Sequence, residues 1–67
     1  MKTKTISAID FNPSTHKIVE NGKAYDIDRV IPRGPGEMLF ALADGQTREG
    51  GKNAYLFTIL NLIQVTD

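Results

Sequence analysis

Few side chains in this sequence could do covalent chemistry, and they do not form a catalytic set. His16 is the only histidine, and Ser7 and Ser14 are the only serines. A hydrolytic triad needs a histidine beside a nucleophile and an acid, and neither serine has the glycine-flanked context of a nucleophile elbow. Ser14 lies in a turn-forming segment that explains it better. We therefore predict that the protein is not an enzyme; a reaction through His16 and a carboxylate is the weakest alternative.

Metal and phosphate chemistry find no better support. The chain has no cysteine, so a metal would need carboxylates such as Asp26 and Asp28, which lack the loop ligands and final Glu of an EF-hand. Residues 45–53 have the Gly-x4-Gly spacing of a phosphate-binding loop, but Gly51 displaces the lysine and Asn53 replaces the hydroxyl residue. We expect no metal, no cofactor and no nucleotide hydrolysis.

The charged residues favour the binding of a partner over catalysis or metal binding. Segment 33–37 is stiffened by proline and would lose little entropy on binding, whereas segment 44–53 contains three glycines and could adapt to a partner. Both flank the same apolar run, 38–43, which as a strand spans about 20 Å. The alternative is that both are solvent-exposed connections. We predict partner contact through five charged residues: Arg33, Glu37, Arg48, Glu49 and Lys52.

The charge balance narrows the class of partner. Eight basic and eight acidic residues give a formal net charge of zero, which weakens long-range attraction to nucleic acid. The basic residues are scattered, and a core needs most of the five aromatic residues, so few remain to stack on bases. We predict a small binding module, an accessory, inhibitory or regulatory protein that contacts a protein partner. The alternative is a small-barrel nucleic-acid-binding protein.

The hydropathy pattern indicates where such a protein would work. No apolar run reaches the roughly 18 residues that a membrane helix needs, so we expect no membrane association and a cytoplasmic location. An origin in a phage or other mobile element is a further hypothesis. It rests only on the small size and general character of the chain, since no residue specifies it.

The elements that must position these residues are short strands. Turn-forming residues divide the chain into runs rich in Ile, Val, Thr, Phe and Tyr, a spacing typical of β-strands joined by turns. We predict one mainly β domain over residues 1–67, a five-stranded twisted sheet or Src-homology-3-like barrel. The five predicted strands cover residues 4–11, 16–20, 23–31, 38–43 and 54–66.

The clearest local prediction is a β-hairpin at Asn21-Gly22. A two-residue Asn-Gly loop takes positive φ at both positions, which suits the twist of a hairpin. This loop places Glu20 opposite Lys23 and Ile18 opposite Tyr25, so the turn and the charges agree on one register. The returning strand is predicted to continue to residue 31, with residues 25, 27 and 31 on one face and Asp26 and Asp28 on the other.

The last run, residues 54–66, permits two interpretations. A short helix beginning at an Asn53 N-cap would place Leu56, Ile59, Leu60 and Ile63 on one stripe. We favour a strand, because β-branched residues recur along the run. The run is apolar on both faces of an extended chain, as is 38–43, and a small domain cannot bury all of this surface. A symmetric homodimer through the last run is therefore also predicted.

Overall fold

The computed structural model describes residues 2–67 and contains seven strands, so the prediction of a mainly β protein is confirmed. The strands are β1 (Lys4–Ser7), β2 (Lys17–Glu20), β3 (Lys23–Tyr25), β4 (Ile27–Pro32), β5 (Glu37–Leu42), β6 (Ala54–Thr58) and β7 (Leu62–Thr66). They form two antiparallel sheets: sheet A, in the order β1-β7-β2-β3, and sheet B, in the order β4-β5-β6. The helical segments of residues 2–67 are two 3₁₀ turns, Ala8–Asp10 and Glu49–Gly51. No helix in this range is long and apolar enough to cross a membrane.

The predicted hairpin is confirmed in both turn and register. Asn21 and Gly22 have φ values of 52° and 77°, as a turn with two left-handed residues requires. Glu20 lies opposite Lys23, and Ile18 lies opposite Tyr25. The local sequence is therefore sufficient to fix the pairing of β2 with β3.

The predicted strand 23–31 is divided between the two sheets. β3 ends at Tyr25 and β4 begins at Ile27, so Asp26 marks the bend at which the chain leaves sheet A and enters sheet B. The Asp26 carbonyl accepts a hydrogen bond from the Ala43 amide, at 3.0 Å. This bond extends the pairing of sheet B as far as the bend.

A β-bulge in β4 changes which residues face the core. The register between β4 and β5 shifts between Ile27 and Arg29, and Val30 instead of Arg29 then packs against the core. The prediction that Tyr25, Ile27 and Ile31 share one face is therefore wrong. An extra residue in one strand reverses its alternation, which places Ile31 opposite Leu39, outside the core.

The last run forms strands, but it forms two of them. β6 and β7 are separated by a turn at residues 59–61, and the Asn61 amide donates to the Thr58 carbonyl at 3.1 Å. The helical interpretation from an Asn53 N-cap is wrong, as is the five-strand count. Within residues 2–67 the seven strands do not close into a barrel.

The core lies between the two sheets. Phe40 of sheet B and Val65 of sheet A are fully buried, and their neighbours come from both sheets. The Phe40 ring packs edge-on against Phe57 with 5.2 Å between centroids, and it packs at a tilt against Phe11 at 4.9 Å. The strand predicted over residues 4–11 ends at Ser7, because the following 3₁₀ turn directs Ala8 into this core.

Candidate functional site

A groove of about 260 Å³ opens between the two sheets, and residues of β2, β6 and β7 line it. β2 and β7 pair only at two positions, Lys17 with Thr66 and Ile18 with Val65. Beyond these positions the two strands diverge. β6 is the last strand of sheet B, with β5 on one side and no strand on the other among the described residues. The groove lies between β6 and the diverging parts of β2 and β7.

A polar clamp, formed by Glu20, Arg48 and Tyr55, joins the two sheets at one end of the groove. Arg48 Nη2 lies 3.1 Å from Glu20 Oε2, and the Tyr55 hydroxyl donates to Glu20 Oε1 at 3.1 Å. The guanidinium carbon of Arg48 lies 4.0 Å from the centre of the Tyr55 ring, within the range of a cation–π contact. One carboxylate of β2 is thus held by two residues that belong to β6 and the loop before it.

Arg48 is held in place by more than the clamp. Its Nη1 donates to the Ala54 carbonyl at 3.3 Å, and its backbone amide donates to the Lys52 carbonyl at 2.8 Å. The side chains of Arg48 and Glu20 are only 25% and 28% exposed, so water screens this pair less than a surface ion pair. Arg48 therefore fixes the end of a long loop against β2.

Within the clamp, the surroundings of Tyr55 shift its pKa. Its side chain is buried, and burial raises the pKa of the phenol above its usual value. The Glu20 carboxylate acts in the same direction, because an ionised phenol would face a second negative charge. Tyr55 therefore remains a neutral hydrogen-bond donor, which suits a structural role.

The other end of the groove is apolar and exposed. Leu56 and Leu62, which line the groove, are 58% and 73% exposed, and Leu60, in the β6–β7 turn, is 80% exposed. Ile9 is 58% exposed, and its amide hydrogen-bonds to the Ile59 carbonyl at 3.4 Å. The large hydrophobic side chains exposed within residues 2–67 are thus concentrated around the groove and this turn.

The charged residues predicted to contact a partner do not form a single cluster. Arg33 and Glu37 close the β4–β5 turn, with the Arg33 amide donating to the Glu37 carbonyl at 2.9 Å. This turn adjoins the apolar end of the groove, since the neighbouring Gly36 carbonyl accepts from the Ile59 amide at 3.0 Å. The other three predicted residues, Arg48, Glu49 and Lys52, lie in the β5–β6 loop at the clamp end.

The two groups therefore flank β6 at opposite ends. Of the five residues, Arg48 is committed to contacts inside the molecule, and the Glu49 carboxylate accepts a hydrogen bond from the Asn21 side chain. Their use by a partner stays a prediction. Arg33, Glu37 and Lys52 are exposed.

Three of the residues considered for catalysis and metal binding, Ser14, His16 and Asp26, make contacts within the fold. The Asn12 amide donates to His16 Nδ1 at 3.0 Å, and the Ser14 amide donates to Asn12 Oδ1 at 2.9 Å. Asp26 lies 3.5 Å from the Lys17 amine and hydrogen-bonds to Gln46. Residues 2–67 contain no cluster of three or more potential metal-ligand side chains.

Comparison with protein-family models, with curated proteins and with solved structures found no match to this chain.

The sequence interpretation missed the groove and the clamp. The local pattern gives Glu20 only its hairpin partner Lys23 and places residue 55 only within the run 54–66. The clamp depends on contacts between residues 28 and 35 positions apart, which local patterns do not reveal. The apolar character of both faces of residues 54–66 was the available signal, since Leu56 and Leu62 come from that run.

Proposed function

We propose that this protein is a non-enzymatic binding module, an accessory, inhibitory or regulatory protein, and that it contacts a protein partner through the groove between β6 and sheet A. The observation that carries this proposal is the concentration of exposed leucines there. Leu56, Leu60 and Leu62 are all more than half exposed. Covering such side chains contributes about 25 cal/mol for each Å² of apolar surface removed from water.

The size of the groove favours a protein partner over a small molecule. Cofactor and ligand pockets commonly have volumes of roughly 300–1,000 Å³ and bury most of the ligand. A groove of about 260 Å³ that is open to solvent suits one or two side chains that project from a larger surface. Leucines at its rim would then pack against the partner around the inserted side chain.

The charged residues at both ends of the groove support a role in orienting the partner. Arg33 and Glu37 lie at the apolar end, and Lys52 lies in the loop at the clamp end. Charges at the rim of an interface mainly affect the association rate and the choice of partner. We assign Arg48 a positioning role, because its guanidinium is held by Glu20 and Tyr55.

The nucleic-acid alternative has less support. Four of the eight basic residues of the chain face a carboxylate within 4 Å, which reduces the charge left for phosphates. Phe11, Phe40, Tyr25 and Tyr55 are buried, so they cannot stack on bases as single-strand binders require. A protein surface is the better match to a patch of exposed aliphatic side chains.

The proposal is tested by affinity capture from the native host with three baits. They are the parent protein, Leu62→Asp in the groove, and Thr15→Asp in the exposed turn before β2 as a matched control for added charge. We expect the parent and the control to recover the same protein, and Leu62→Asp to recover at least tenfold less. Nuclear magnetic resonance spectra establish that all three are folded. Equal recovery with Leu62→Asp contradicts the proposed site.

A further inference from the structure

We infer that the occupant of the groove is an extended segment of the protein partner that pairs with the free edge of β6 at a single residue, Leu56. This inference rests on the proposed function and specifies its binding mode. Addition of a strand to a sheet edge supplies affinity through main-chain hydrogen bonds and specificity through alternate side chains.

The hydrogen bonds around β6 show which of its backbone groups face the groove. The Leu42 amide donates to the Asn53 carbonyl at 3.0 Å, and the Ile59 amide donates to the Gly36 carbonyl at 3.0 Å. In an antiparallel pair, hydrogen-bonded and non-hydrogen-bonded positions alternate. The odd-numbered residues 53 to 59 therefore face β5, and the backbone groups of Ala54, Leu56 and Thr58 point to the opposite edge.

Both ends of this edge are already occupied by groups of the same chain. The Ala54 carbonyl accepts from Arg48 Nη1 at 3.3 Å. The Thr58 amide donates to Asn61 Oδ1 at 2.7 Å, and the Thr58 carbonyl accepts from the Asn61 amide at 3.1 Å. Such caps limit pairing with other chains. Between them, the amide and carbonyl of Leu56 have no partner among residues 2–67.

The opposite wall of the groove also consists of strand edges. Residues 62–64 of β7 pair with β1 on one side only, because the contact between β7 and β2 ends at Val65. Residues 19 and 20 of β2 likewise pair only with β3 on their other side. A gap with strand edges on both walls is filled most completely by one further strand, since a helix would leave those backbone groups unpaired.

The chemistry of the lining specifies the segment. Glu20 and Arg48 neutralise each other inside the clamp, so the groove does not require a charged group. Leu56 and Leu62 provide an apolar rim. Because Ala54 and Thr58 are capped, only the part of the edge around Leu56 is open. The groove therefore takes a short, uncharged, extended segment that pairs at this one residue and inserts one or two aliphatic side chains.

The test uses a displayed library of random heptapeptides as the probe and a backbone-modified protein as the comparison. The chain is short enough for chemical synthesis, so Leu56 can be N-methylated, which removes one free donor without changing a side chain. The matched control is N-methylation of Ala24, on the outer edge of β3 at the far side of sheet A. Selected peptides are expected to contain a central aliphatic residue, to bind the parent and the Ala24 control equally, and to bind the Leu56-modified protein at least tenfold more weakly.

Amide hydrogen exchange provides a second measurement on the unmodified protein. The Leu56 amide should exchange rapidly in the free protein, whereas the Tyr55 and Phe57 amides, which face β5, should be protected. A bound peptide should slow exchange at Leu56. Equal peptide binding to both N-methylated proteins, or no change in exchange at Leu56, overturns the inference, as does a selection that yields no peptide sensitive to Leu62→Asp.

Two further outcomes separate this inference from the proposed function. If the captured partner is lost with Leu62→Asp but binds the Leu56-modified protein as tightly as the parent, the groove is the site and strand addition is wrong. If sedimentation shows that the parent is a dimer and the Leu56-modified protein is a monomer, the occupant is a second copy of this chain, which also overturns the inference.

Discussion

At the scale of single residues, the clamp shows how a tyrosine and an arginine can share one carboxylate. The Tyr55 hydroxyl and the Arg48 guanidinium contact different oxygens of Glu20, so neither displaces the other. The tyrosine ring also lies under the guanidinium, at 4.0 Å. Because each group supports the other two, removal of any one should weaken the contact between the sheets.

The raised pKa of Tyr55 predicts a loss of stability in alkaline solution. An unfolded tyrosine loses its proton near pH 10, whereas burial and Glu20 keep Tyr55 protonated to higher pH in the folded protein. Its contribution is therefore complete below about pH 10 and declines as the pH rises above that value. Urea unfolding at pH 8 to 11 should show a steeper decline for the parent than for Tyr55→Phe. Parallel curves for the two proteins contradict this prediction.

The ion pair between Arg48 and Glu20 should be worth more than the exposed pairs. A double-mutant cycle with Arg48→Met and Glu20→Gln is expected to give a coupling energy of about 1 kcal/mol, the upper part of the range for accessible pairs. Lys4 and Asp67 provide the control cycle. Their charged groups lie 3.7 Å apart, and their side chains are 55% and 80% exposed. The control should give a coupling energy near zero, and equal coupling energies in the two cycles would contradict the prediction that partial burial strengthens the pair between Arg48 and Glu20.

At the scale of elements, the β2–β3 hairpin depends on Gly22. Its φ of 77° lies in the left-handed region, and a β-carbon added there would meet no atom within 4 Å. Backbone strain alone therefore determines the cost of substitution. Gly22→Val should lower the free energy of unfolding by about 1–3 kcal/mol, whereas Gly22→Asn should lower it less, because asparagine tolerates this conformation. Chemical denaturation of both variants measures the difference, and equal losses refute the explanation.

The same hairpin illustrates what the sequence can predict. Its turn residues, its charges and its apolar alternation all act within eight positions, so they determine one register. The bend at Asp26 and the bulge after Ile27 have no such local pattern, because they arise where one strand must serve two sheets. The turn at Asn61 was also missed, since residues 54–66 contain neither glycine nor proline.

At the scale of the whole molecule, the site was less predictable than the fold. The charged loops were identified from their composition, and their positions at the two ends of β6 follow from the order of the strands. The groove depends on where β2 and β7 stop pairing, which is a property of the assembled sheets. A single sequence indicated only that residues 54–66 carry more apolar surface than one core can cover.

The apolar surface of residues 54–66 that the core does not cover favours assembly of two copies. Ile31, Leu39 and Leu56 lie directly opposite one another across the three strands of sheet B, on the face away from the core. Ile31 and Leu39 are partly exposed and Leu56 is 58% exposed. An apolar row on the outer face of a sheet favours association with a second copy. The homodimer predicted through the last run would then use this face, to which Leu56 belongs, and would leave Leu62 in the groove uncovered.

Sedimentation velocity between micromolar and millimolar concentrations should show the parent passing from monomer to dimer. Leu39→Glu, at the centre of the row, should keep the protein monomeric, because two symmetric copies would oppose like charges in an apolar contact. Leu62→Asp should dimerise as the parent does, since it changes only the groove. A parent protein that stays monomeric over the whole range contradicts the dimer. A dimer that is lost with Leu62→Asp and kept with Leu39→Glu assigns the contact to the groove, because only the surface that two copies share should respond to a new charge.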